Sequence, residues 1–118
     1  MLKNICLFVD DKFSPRNVYG FDLDDTENEN RFHWVKSFDE AVEWIIENGC
    51  PISVDLDYDL SEFKTGNDIA LWMINKDIES KGTFFPKDFG YSSHSGSPDN
   101  RMLIYKTFRD YFDLRPIS

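Results

Sequence analysis

The chain has 118 residues, 16% of them aromatic, and a formal net charge of −9. That length suits one domain around a single core, and eleven Phe with three Trp argue against a disordered chain. With a pI of about 4.5 and no basic stripe, the surface does not suit double-stranded nucleic acid or an anionic membrane, whereas a small phosphorylated ligand fits if a bound cation inverts the local charge.

The first predicted strand covers residues 4–9, continuously apolar as a strand buried on both faces should be, and ends on Asp10-Asp11. Residues 12–31 hold Pro15 and an acidic stretch (Asp22, Asp24, Asp25, Glu27, Glu29) and show no convincing helix. A second strand is expected over 32–36. Ser37 then opens a helix through a capping box with Glu40, with Ala41, Val42, Ile45 and Ile46 on one face and Asn48-Gly49 as the stop. A third strand over 51–56 leads into Asp55-Leu56-Asp57-Tyr58-Asp59. The next helix runs over 67–79 with Ala70, Met73, Ile74 and Ile78 inward, a fourth strand over 88–93, and a last helix over 98–112. That last helix is signalled by Ser97 as cap and Pro98 at its first position, with Ile104, Tyr105, Phe108 and Phe112 inward. Alternating strands and helices imply βαβ crossovers, a mainly parallel sheet of about four strands and helices on both faces, in three layers.

No apolar run approaches the roughly 18 residues of a membrane helix and no signal peptide opens the chain, so a cytoplasmic location is expected. Cys6 and Cys50 lack metal-ligand spacing and read as reduced core thiols.

Carboxylates at the end of a buried strand need partners, and in an open α/β sheet the carboxyl ends of the strands are where ligands bind. Two strands ending in acids therefore predict an oxygen-rich pocket for a hard divalent cation, Mg²⁺ above all. Asp55, Asp57 and Asp59 alternate and would share a face of an extended chain, where they repel unless a cation binds or one is protonated. A calcium loop of the EF-hand type fails, because counting from Asp55 the sixth residue is Leu60 rather than Gly and the twelfth is Gly66 rather than Glu. Phe21-Asp22-Leu23-Asp24-Asp25-Thr26 resembles the nucleophile motif of haloacid-dehalogenase-type phosphatases, but Val18-Tyr19-Gly20 is a poor strand and no apolar turn or helix follows it. His94, just past the fourth strand, falls at the same sheet edge as the acids and suits a general acid or base. His33 reads as structural. Thr65 and Gly66 before the second long helix, and Ser95 and Arg101 around the start of the last one, are candidates to hold a phosphate.

Taken together, Leu7-Phe8-Val9-Asp10-Asp11, Leu56-Asp57-Tyr58-Asp59-Leu60, Thr65-Gly66-Asn67-Asp68 and His94-Ser95 with Arg101-Met102 resemble the cyclic-phosphate-processing receiver family of bacteria and phages. The resemblance covers nearly the whole chain. It implies a flavodoxin-like, receiver-like fold for residues 1–118, with the acidic loop at about 20–31 as an insertion. In ordinary receivers an acidic pair binds Mg²⁺ and an Asp after the third strand accepts a phosphoryl group, positions matched here by Asp10-Asp11 and Asp57. The fifth strand and closing Lys of ordinary receivers have no counterpart, which weighs against a phosphorelay. Tyr58 stands where the family usually has His, and Ser97 where it often has Asn.

The function implied is metal-dependent processing of a cyclic phosphate, a cyclic nucleotide or an RNA 2′,3′-cyclic end. Asp10, Asp11, Asp57 and Asp59 would hold Mg²⁺ or Mn²⁺, Asp57 and His94 would be catalytic, and Arg101, Ser95, Thr65 and Gly66 would position the substrate. The alternative from another class is a non-catalytic module, such as a phage-encoded inhibitor, that sequesters a phosphorylated nucleotide or binds a partner protein. A residual phospho-accepting switch at Asp57 is a third.

Overall fold

Among the described residues the chain forms four short strands: β1 (Cys6–Val9), β2 (Phe32–Val35), β3 (Ser53–Leu56) and β4 (Gly90–Ser93). They make one parallel sheet in the order β2-β1-β3-β4. Among the described residues the helices between and after them are α1 (Pro15–Tyr19), α2 (Phe38–Asn48), α3 (Gly66–Glu79) and α4 (Pro98–Leu114). The computed structural model describes residues 4–20 and 31–115. The acidic stretch from Asp22 to Glu29 and the phosphatase-like motif at 21–26 lie outside the described residues.

Strand alternation divides the sheet into two faces. Leu7 and Val9, Val54 and Leu56, and Val35 point into the main core, where they meet Ala41, Trp44 and Ile45 of α2, Ile69, Ala70, Met73 and Ile74 of α3, and Ile104 and Phe108 of α4. An aromatic layer extends this core under β4, with Tyr91 stacked on Phe108 and Phe85 packed against Phe89 and Phe112. On the other face Phe8 packs edge-on against both Phe32 and Tyr19, so α1 covers that side through its last residue. The result is the α/β receiver-like arrangement with helices on both faces.

Four details differ from the sequence expectation. Residues 12–31 do contain a helix, the single turn α1. Ser14 caps it by accepting from the Asn17 amide, the Asn17 side chain returns to the Ser14 amide, Pro15 occupies its first position, and Gly20 closes it at φ 70°. In α2, Ser37 accepts from the Glu40 amide as expected, but the Glu40 carboxylate accepts from Lys36 rather than from the cap residue itself. The inward stripe of α2 is Ala41, Trp44 and Ile45, which turns Ile46 out to 68% exposure. Ile78 of α3 and Tyr105 of α4 are likewise exposed, and Asp77 takes the inward position beside Ile78.

Candidate functional site

β1 and β3 are the central strands, and their crossovers leave in opposite directions, so the ligand-binding switch point of the sheet lies at their carboxyl ends. The register pairs Val9 with Leu56 and Leu56 with Ser93. One residue further along each strand stand Asp10, Asp57 and His94. They belong to the same alternation phase as Phe8, Asp55 and Ser92, which are also paired in register, and so face away from the main core. Backbone bonds extend the ladder past the strand ends: the Asp57 amide donates to Val9 and the Asp10 amide to Val35.

The side chains converge as that register requires. One ligand atom each from Asp10, Asp57 and His94 all lie within 4.8 Å of one another. His94 stacks flat on Phe8, with ring centroids 4.3 Å apart and an interplanar angle of 7°. Its Nε2 lies 2.9 Å from Asp10 Oδ2 and its Nδ1 lies 2.9 Å from Asp55 Oδ1. Both carboxylates are buried, at 1% exposure each. Asp10 is further fixed because its Oδ1 accepts from the amides of Lys12 and Phe13. Asp55 Oδ2 accepts from the Tyr19 hydroxyl.

The electrostatics follow from this crowding. Burial pulls the His94 pKa down, but the hydrogen bonds and charges of Asp55 and then Asp10 outweigh it, and the net shift is upward. Burial and the neighbouring charge of Asp10 push the Asp57 carboxyl up, with Asp11 adding to the rise and His94 and the Tyr58 backbone opposing it. Negative charge is in excess at this edge, the condition under which a cation binds.

The remaining predicted residues fall into two groups. Asp11 is half-buried and close enough for its charge to act on Asp57. Asp59 is exposed and accepts from the Ser61 amide in a tight turn, outside the converging set. Thr65 caps α3 in a reciprocal box with Asp68, so its hydroxyl serves the helix start. Gly66 is needed for close approach: a Cβ there would sit 1.9 Å from the Asp57 carbonyl oxygen. Both therefore shape the Asp57 loop. Ser95 is buried, its Oγ accepts from Ser97, and its carbonyl accepts from Arg101 Nη1 at 2.6 Å. A cavity of about 300 Å³ near the C-terminal end of α3, lined by Ile78, Tyr111 and Leu114, contains none of these groups.

In the sequence Asp55 stands among acidic neighbours with no role of its own, and nothing there singles out Tyr19. Asp55 carried a usable signal, since it alone among the acids lies inside the predicted third strand. Tyr19 carried none, because its segment read as loop. Cys6 and Cys50 are unpaired and half-buried, their thiols pushed up to about 11 and about 12, chiefly by burial. His33 is exposed and packs on Trp44. Among the described residues no helix is long and apolar enough to cross a membrane.

No curated protein and no solved structure matches the chain. A family model does: that of the cyclic-phosphate processing receiver domain, over residues 5–110. The matched span runs from the start of the first central strand to the last turns of α4, and so includes the whole sheet and every residue of the converging set. The chain belongs to the cyclic-phosphate processing receiver domain family.

Proposed function

We propose that this protein is a metal-dependent hydrolase of a cyclic phosphate, of the cyclic nucleotide or RNA 2′,3′-cyclic class. The observation that carries the reading is the convergence of Asp10, Asp57 and His94 within 4.8 Å at the switch point of the sheet. Two carboxylates and one imidazole fit a divalent cation between hard and borderline, which favours Mn²⁺ over Mg²⁺. Such an ion supplies neutralisation of the phosphate oxygens and a water of lowered pKa. Asp10 and Asp57 bring the negative charge, and Asp11 adds to the field without a ligand atom in the converging set. His94 Nε2 faces Asp10, while Nδ1 is engaged by Asp55, which suits the ring to ligation through Nε2. Arg101 is anchored to the Ser95 carbonyl through one nitrogen, which leaves its other N–H donors for a phosphate oxygen. In the reaction, water forms a new P–O bond, one ester P–O bond of the ring breaks, and the proton from water ends on the released alcohol.

The second reading, a non-catalytic module that binds a phosphorylated nucleotide, draws on a specific feature. Both His94 nitrogens are occupied by carboxylates, so the site is internally satisfied. One experiment separates the two. Cyclic mononucleotides, cyclic oligonucleotides and 2′,3′-cyclic RNA ends are incubated with Mn²⁺, Mg²⁺ or EDTA and followed by mass spectrometry, beside Asp57→Asn. Ring opening that needs the metal and falls at least about 100-fold in the variant supports the enzyme, on the scale of losing a group used in the transition state. Stoichiometric binding without turnover supports the module. Full activity in Asp57→Asn overturns the site assignment.

A further inference from the structure

We propose that Asp55 and Tyr19 form a positioning pair that holds the His94 imidazole for metal ligation, a role that rests on the metal reading of the site above. The chain of contacts runs from the surface inward. Tyr19, at the end of α1, is 52% exposed, yet its hydroxyl donates to Asp55 Oδ2. The other oxygen of Asp55 meets His94 Nδ1 at 2.9 Å. The far ring nitrogen, Nε2, is thereby directed at Asp10, in the converging set with Asp57. Phe8 fixes the plane of the ring from below, and Tyr19 stacks on Phe32 at 5.5 Å, which fixes the hydroxyl.

The placement of Asp55 argues for function over packing. It sits inside β3 between Val54 and Leu56, at 1% exposure, where an apolar residue would satisfy the fold at lower cost. A ligating histidine generally hands its second nitrogen to a carboxylate or carbonyl, which sets ring orientation and raises ligand basicity. Asp55 occupies that position. Tyr19 satisfies its remaining oxygen without a second charge, so the carboxylate stays available to His94. α1 therefore bears on the site although none of its residues is in the converging set.

The test measures Mn²⁺ affinity by titration calorimetry in the wild type, Asp55→Ala, Asp55→Asn and Tyr19→Phe, with circular dichroism to report folding. Loss of the Asp55 carboxylate should weaken Mn²⁺ binding about 10- to 100-fold. Asp55→Asn, which keeps an acceptor oxygen for Nδ1, should recover most of that loss. Tyr19→Phe, which removes one hydroxyl from a half-exposed ring, should cost about two- to tenfold. A folded Asp55→Ala that binds Mn²⁺ like the wild type overturns the pair. If that variant does not fold, an unchanged affinity in Tyr19→Phe overturns the pair. Proton NMR of the metal-free protein separates this failure from failure of the metal reading. A slowly exchanging, downfield Nδ1–H of His94 that exchanges faster in Tyr19→Phe supports the pair even if the wild type binds no Mn²⁺. Its absence from the wild type counts against the pair.

Discussion

At the scale of single residues, His94 links the site to pH. Its folded pKa lies above the ordinary value of 6.5, because Asp55 and Asp10 outweigh its burial. The folded state therefore binds this proton more tightly than the unfolded state. The stabilisation is complete below about pH 6.5 and is lost as pH rises through the higher folded value. Asp57 is also raised, but its window opens at the ordinary carboxylate value of 3.8, lower on the scale. In the metal-free protein, thermal melts from pH 6.5 to 9 should show stability falling with pH, and His94→Gln should flatten that slope. Parallel curves for the two proteins would mean that His94 is not the titrating group. A metal at Nε2 must displace the same proton, so Mn²⁺ affinity should rise over the same interval.

At the scale of elements, the site depends on how α3 begins. The Gly66 amide donates to the Tyr58 carbonyl at 2.8 Å, and the missing side chain lets the helix start press against the Asp57 backbone. Gly66→Ala would force a Cβ to 1.9 Å from the Asp57 oxygen, so either the loop or the helix start must move. The expected result is a loss of about 2–4 kcal/mol in urea unfolding, with Mn²⁺ binding impaired in whatever remains folded. A neutral effect would show that the loop gives way freely. Gly66 was legible as a turn glycine beside Thr65, but its reason was not, because close approach is a fact of packing. The same limit explains the other misses. Ser14-Pro15 carries the cap-and-proline signature that revealed α4 at Ser97-Pro98, but five residues hold too little periodicity to confirm a helix. The alternation of Asp55, Asp57 and Asp59 holds only while the chain stays extended. β3 ends at Leu56, Asp57 is kept in line by its bond to Val9, and Asp59 turns away with Ser61. What read cleanly were the apolar runs, the carboxylates that end them and the helix caps, since each is a local signal. The parallel strands then convert those local signals into one row of side chains at one edge.

At the scale of the molecule, the edge of the sheet that carries Asp57 is crowded with like charge, and a third buried acid, beside Asp10 and Asp55, does the opposite work elsewhere. Asp77, fully buried near the end of α3, accepts from the amides of Phe84 and Phe85 through Oδ1 and from the Tyr111 hydroxyl, at 2.5 Å, through Oδ2. Arg115 Nε lies 3.4 Å from the same oxygen without hydrogen-bond geometry, while its Nη2 donates to the Gly82 carbonyl. One carboxylate thus ties α3, the 80–86 connection and the end of α4 together, and the Tyr111 hydroxyl is pushed up to about 12 by burial and by that bond. A chain with a net charge of −9 has little reason to bury another acid unless its bonds are worth more than its desolvation. Asp77→Ala leaves two amides and a hydroxyl short of an acceptor at once and removes the charge beside Arg115. The expected loss is about 3–5 kcal/mol, a fall in Tm of about 10 °C or more for a chain of this size. Because α3 also carries Gly66 against Asp57, the damage should reach the far edge of the sheet and weaken Mn²⁺ binding in step with stability. Tyr111→Phe, which removes one donor and leaves the carboxylate bonded, should cost only about 1 kcal/mol. Equal melting temperatures for Asp77→Ala and the wild type would show that the core alone holds α3 to α4.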